Sequence, residues 1–87
     1  MDTPEVTVAH VRELLTDHRD APVLYVNEER ELEVWVEAYV NHHQIVARRH
    51  EVSDVLLPPG ADPLTDEDIK EYLPGLQDEV DRITDES

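Results

Sequence analysis

The stretch Glu31-Leu32-Glu33-Val34-Trp35-Val36-Glu37-Ala38-Tyr39-Val40 alternates aliphatic residues with acidic or aromatic ones without a slip. That is a period of two, the period of a β-strand, in which successive side chains point to opposite faces. Leu32, Val34, Val36, Ala38 and Val40 therefore share a face suited to a core, and Glu33, Trp35, Glu37 and Tyr39 share the other. A strand with one aliphatic face belongs to a sheet covered on that side, so the flanking segments should supply partner strands and helices. A charge on the aliphatic face would enter the core, and Val36→Asp is expected to unfold the chain.

Outward from this strand, Asn27-Glu28-Glu29-Arg30 is a polar interruption short enough for a hairpin loop, although it lacks the favoured glycine. Before it, Pro22-Val23-Leu24-Tyr25-Val26-Asn27 offers residues that pack on a pleated surface, with proline tolerated at the strand start. After it, Asn41-His42-His43 breaks the pattern, and Gln44-Ile45-Val46-Ala47-Arg48 can return. Strands near 22–27, 31–40 and 44–49 form, in the simplest reading, a three-stranded antiparallel β-meander with the longest strand in the middle.

Two helices complete an α+β fold. Thr3-Pro4-Glu5 has a cap, a first-turn proline and an acid at the positive end of the dipole. Val8, Val11, Leu14, Leu15 and His18 follow at helical spacing, which predicts a helix over 4–19 that ends before Pro22. At the other end, Thr65-Asp66-Glu67-Asp68 resembles a capping box. Ile69, Tyr72, Leu73, Leu76, Val80 and Ile83 then keep one face across Pro74-Gly75, predicting over 66–84 a kinked helix, or two short helices that share a face, packed on the sheet. Residues 50–57 favour a short helix. The proline-rich run 58–64 reads as a linker between a body, 1–57, and an acidic C-terminal helix, 65–87, of a single small domain.

Charge is the strongest compositional signal: 22 acids face 7 bases for a net charge of −15 in 87 residues. Such a surface repels nucleic-acid phosphates, so no direct nucleic-acid binding is expected. The acids are spread along the chain, a distribution similar to that of proteins from extreme halophiles, where molar salt shortens the screening length to about 3 Å. No cysteine is present, no apolar run is long enough to span a membrane, and Met1-Asp2-Thr3-Pro4-Glu5 carries no leader pattern. The expectation is a cytoplasmic protein without membrane association.

Site chemistry is sparse. The five histidines lack the tight spacing of a zinc motif, so neither a metal nor another cofactor is expected. Two glycines cannot build a phosphate-cradling loop, and paired carboxylates carry no information among 22 acids, so no catalytic residues are assigned and no enzyme is expected. Arg48, Arg49 and His50 are a local excess of positive charge, read as internal balance against the C-terminal helix or a neighbouring subunit.

The informative residues are aromatic. Trp35 and Tyr39, with Tyr25 and the acids Glu33 and Glu37, lie opposite the aliphatic face and form the expected partner-binding site, unless the C-terminal helix crosses over to cover them. The sequence thus points to a non-catalytic interaction or regulatory protein that binds a protein partner or itself. An alternative is a nucleic-acid mimic whose carboxylates from Asp66 to Glu86 imitate a phosphate ladder. The order helix, Pro22-led strand and hairpin also resembles small antitoxin domains of the Phd/YefM type in topology, over barely half the chain, which would imply a neutralising module with a basic toxin as partner.

Overall fold

The computed structural model describes residues 3–60 and 62–86; the chain ends and position 61 of the linker lie outside the described residues. Helix α1 (Val8–Thr16) is followed by β1 (Pro22–Val26), β2 (Leu32–Val36), two 3-10 turns (Glu37–Tyr39 and His42–Gln44), β3 (Ile45–Arg48), α2 (Arg49–Leu56) and α3 (Asp66–Glu86). The α+β class, the three antiparallel strands and the helices near both ends are those read from the sequence.

Strand order departs from the meander: it is β2-β1-β3, with the Pro22–Val26 strand in the centre and the alternating strand on an edge. The reason lies in the two strands' compositions. In β1 Pro22, Val23 and Leu24 are fully buried and Val26 nearly so, as suits a strand covered on both faces. In β2 every second residue is acidic or aromatic and exposed, and charges are what native sheets place on edges.

This order forces the chain to cross β1 between β2 and β3. Accordingly β2 stops at Val36 instead of running to residue 40, and residues 37–44 pass over the second face in the two 3-10 turns. Periodicity is reset there. Ala38 is exposed, and Val40 clusters with Val23 and Ile45, with Tyr25 partly buried against them. Val40 has thus changed sides, because Val23 pairs with Trp35 while Leu24 pairs with Val34.

On the first face, Val11, Leu14, Leu24, Val26, Val46, Ala47 and Val52 form one core with Ile69, Leu76, Val80 and Ile83 of α3. Leu32 and Val34 pack against it from the edge. A bulge helps β3 contribute: Leu24 partners Ala47 while Tyr25 partners Ile45, so Val46 is an extra residue and both it and Ala47 reach the core.

The hairpin closes without glycine because Arg30 adopts the left-handed conformation, φ 63°. Asn27 organises the loop. Its carbonyl accepts from the Arg30 N–H at 3.0 Å, and its side-chain oxygen accepts from the N–H groups of Glu29 and Glu31, both at 2.9 Å.

Helix α1 begins at Val8 rather than residue 4, with Thr7 at the cap position, its N–H donating to His10 Nδ1 at 3.0 Å. Residues 3–6 stay outside the helix because a tertiary clamp outweighs the local start signal. Gln77 of α3 accepts from the Val6 N–H at 2.9 Å and donates to the Pro4 carbonyl at 3.1 Å, which seats Val6 in the core. The helix ends at Thr16, where Asp17 Oδ1 takes the Arg19 N–H at 2.8 Å, and His18 is exposed beyond it. Gln77→Ala leaves two partly buried backbone groups unpaired and should cost about 1 to 3 kcal/mol in chemical denaturation, whereas Asp78→Ala, exposed on the same helix, should change little.

Helix α3 runs through Pro74 as one element and lies on the same face as α1. Its start has the expected cap: the Asp68 N–H donates to Thr65 Oγ1 at 3.3 Å. Among the described residues no helix is long and apolar enough to cross a membrane.

Candidate functional site

Because all three α-helices pack on the first face, none of them covers the second. What lies over it is the 37–44 crossing, which buries Val23 beneath Val40 but leaves the outer part of the face open. Trp35 is 43% exposed and Tyr39 80% exposed.

Two rows of side chains cross this face. In one, Glu33, Tyr25 and Ile45 are neighbours across β2, β1 and β3; in the other, Trp35, Val23 and Arg48 are. The Tyr25 hydroxyl donates to Glu33 Oε2 at 2.7 Å. Arg48 Nε donates to Glu37 Oε1 at 2.7 Å, bracing the point where the chain leaves β2. Arg19, from the loop after α1, places its guanidinium 4.7 Å from the centre of the Trp35 ring, a cation–π contact, while its Nη1 donates to Asp17 at 2.5 Å.

The five residues marked by the alternating stretch are therefore not one cluster. Tyr25 with Glu33, and Trp35 beside them, form a continuous patch on the sheet. Glu37 is held by Arg48 at its border, and Tyr39 stands on the crossing, off the strand. Arg19 and Arg48 complete the patch; the sequence marked Arg48 only as part of a local positive run, and Arg19 not at all. Arg48 reaches Glu37 only because β3 lies on the far side of β1, and Arg19 reaches Trp35 only through the path of the loop.

The positive run finds its partners inside the fold, though not on the C-terminal helix. Arg48 bonds Glu37 and, at 3.4 Å, Glu51; Arg49 Nη1 donates to the Asp17 carbonyl at 2.6 Å. The C-terminal helix is tied instead by the Arg12–Asp66 ion pair. A cleft of about 630 Å³ between β3 and α3 is flanked by alternating charges, with Arg82 bonded to Glu79 at 2.7 Å. Among the described residues no three His, Asp or Glu side chains gather to hold a metal ion.

Burial and the adjacent Glu33 carboxylate push the Tyr25 phenol up to about 12. Burial, with Glu51 nearby, also raises Tyr72. For Tyr25 the folded state holds its proton after the unfolded chain, at about 10, has lost it. Its contribution to stability is thus complete below pH 10 and is lost as pH rises through 12. In a spectrophotometric titration of tyrosinate, one phase should be delayed to about pH 12, and Glu33→Gln should move it toward lower pH.

No family model, no curated protein and no solved structure matches this chain.

Proposed function

We propose that this chain is a non-catalytic, acidic protein–protein interaction or regulatory protein, with a surface adapted to high salt, whose binding face is the open side of its sheet. The observation that carries the reading is the exposure of Trp35 and Tyr39 on the face without helices. Aromatic side chains offer large contact area at small entropic cost and are enriched where partners bind. Glu33 borders the patch, and the chain as a whole is strongly negative. The partner that fits is a protein surface with an apolar centre flanked by lysine or arginine. Arg19 sits over Trp35 and Arg48 is bonded to Glu37, so the local cations are already engaged and the strongly negative chain disfavours a rigid anionic partner on charge.

The test is capture from host extract at the host's salt concentration, comparing the native chain with a Trp35→Ala/Tyr39→Ala variant of unchanged circular dichroism. A partner retained by the native chain and lost by the variant supports the reading. Retention of the same proteins by both, or of none by either, overturns it.

A second reading, nucleic-acid mimicry, is favoured by the arrangement of acids on α3. Glu67, Glu71, Asp78, Asp81 and Asp85 are all exposed. At 100° and 1.5 Å per residue they fall within about 80° of one another over about 27 Å of helix. Arg82 at the flank is bonded to Glu79. Competition with DNA for a basic DNA-binding protein, strong at low salt and steeply lost as salt rises, is its signature; no competition at low salt sinks it.

A further inference from the structure

Among the described residues, edge strand β2 presents an unpaired row of backbone groups whose identity follows from the hairpin. The Asn27 N–H donates to the Glu31 carbonyl at 2.8 Å, and at the other end the Glu37 N–H donates to the Ala21 carbonyl at 3.0 Å. In an antiparallel ladder, bonded and non-bonded pairs alternate. Between those two ends, Tyr25–Glu33 and Val23–Trp35 are thus the bonded pairs, and Val26–Leu32, Leu24–Val34 and Pro22–Val36 the non-bonded ones. Pro22, which has no N–H, falls where none is required. The N–H and C=O groups of Leu32, Val34 and Val36 consequently point away from β1, toward the free edge.

We infer that this edge pairs with the same edge of a second copy of the chain, around a two-fold axis through Val34, to make a six-stranded antiparallel sheet. A two-fold perpendicular to the sheet keeps faces aligned, so only registers centred on a residue are allowed. Centred on Val34, the Val34 groups of the two copies bond each other and Leu32 bonds Val36 of the second copy. All three outward residues of each chain are used.

Side chains choose the same register. On the helical face Val34 meets Val34, and Leu32 meets Val36, all partly exposed in the single chain. On the open face Glu33 stands opposite Trp35 of the second copy at a non-bonded position, where side chains approach most closely. Arg19 of that copy, lying over its Trp35, supplies the opposite charge. Moving the centre to Glu33 brings two Glu33 carboxylates together. Moving it to Trp35 sets Glu33 against Glu37 and pairs Leu32 with Ala38, which has left the strand. In the Val34 register the remaining acidic pair is Glu31 with Glu37, beyond the strand ends, and Glu37 is already bonded to Arg48. The acids that guard this edge against other pairings leave this one open.

This pairing supplies one partner for an interaction protein and rests on the edge, not on the Trp35 and Tyr39 face that the preceding reading uses. Two chains of charge −15 repel at low ionic strength, so association should strengthen as salt rises. Sedimentation equilibrium of the intact chain from 0.1 to about 3 M salt tests it. The expected result is a monomer–dimer equilibrium shifted toward dimer by salt. Val34→Pro, which removes an outward N–H that β1 does not use, should abolish the dimer while retaining the monomer's circular dichroism. Should that variant not fold, Glu33→Arg is the second probe: it should weaken the dimer about tenfold, and the swap Glu33→Arg with Arg19→Glu should restore most of the loss. A chain monomeric at every salt concentration overturns the inference, as does a dimer indifferent to Val34→Pro or to both charge variants. The Trp35→Ala/Tyr39→Ala capture result is read separately, so failure of the edge and failure of the face are told apart.

Discussion

Leu24→Asp should leave no folded protein at neutral pH, while Val36→Asp should fold with a loss of only about 1 to 2 kcal/mol. Leu24 is fully buried in the central strand, flanked by Val34 on one side and Ala47 on the other and packed under the helices. Its replacement forfeits about 1.5 to 3 kcal/mol of apolar burial and places a carboxylate where no cation waits, a further cost of several kcal/mol. The whole stability of a domain this size is about 5 to 13 kcal/mol. Val36 sits at the end of an edge strand, is partly exposed, and lies opposite Pro22 in a non-bonded pair. A carboxylate there reaches water. Read from the alternating stretch alone, Val36→Asp was the mutation expected to unfold the chain, and the edge position of β2 corrects that expectation. Circular dichroism with urea titration distinguishes the two variants, and unfolding by Val36→Asp would contradict the strand order.

Deleting α3 should be as damaging as the core charge. The proline-rich run 58–64 suggests a separable helix, yet Ile69, Leu76, Val80 and Ile83 are each no more than 5% exposed and share one core with α1, β1 and β3. At about 1.5 to 3 kcal/mol for each buried aliphatic side chain, the four together contribute on the order of 6 to 12 kcal/mol, comparable to the entire stability. The Gln77 clamp on residues 4 and 6 would be lost as well. A chain ending at residue 64 should therefore be unfolded by circular dichroism and one-dimensional NMR. Cleavage within the linker of the intact protein should instead leave the two fragments associated until denaturant separates them. A folded 1–64 fragment would show that α3 is accessory.

The elements whose signals are local were legible. The face of α3 was set by apolar residues at helical spacing, and Thr65 stood where its cap is. The faces of β2 from Leu32 to Val36 followed from a period of two, and the open face was marked by Trp35. Signals that depend on distant residues were not. Thr3-Pro4 is a sound helix start on its own, overridden by Gln77 some seventy residues away. The patch around Trp35 was half legible: its aromatics stood out, but Arg19 and Arg48 join it through a loop path and a strand order that no local pattern encodes.

By itself, then, the sequence determined that three strands lie between helices near both ends, which faces of β2 from Leu32 to Val36 and of α3 are apolar, and that the chain is strongly negative, because these depend on backbone periodicity and composition. Only the tertiary structure decided that β1 and not β2 is central, that residues 37–44 cross the sheet and turn Val40 to the other side, and that α3 stays with α1 and leaves Trp35 and Tyr39 open. The physical reason is that an alternating strand is equally at home beside one neighbour or between two. The continuous apolar run Pro22-Val23-Leu24-Tyr25-Val26 is stable only when covered on both faces, and satisfying it assigns every other element its place.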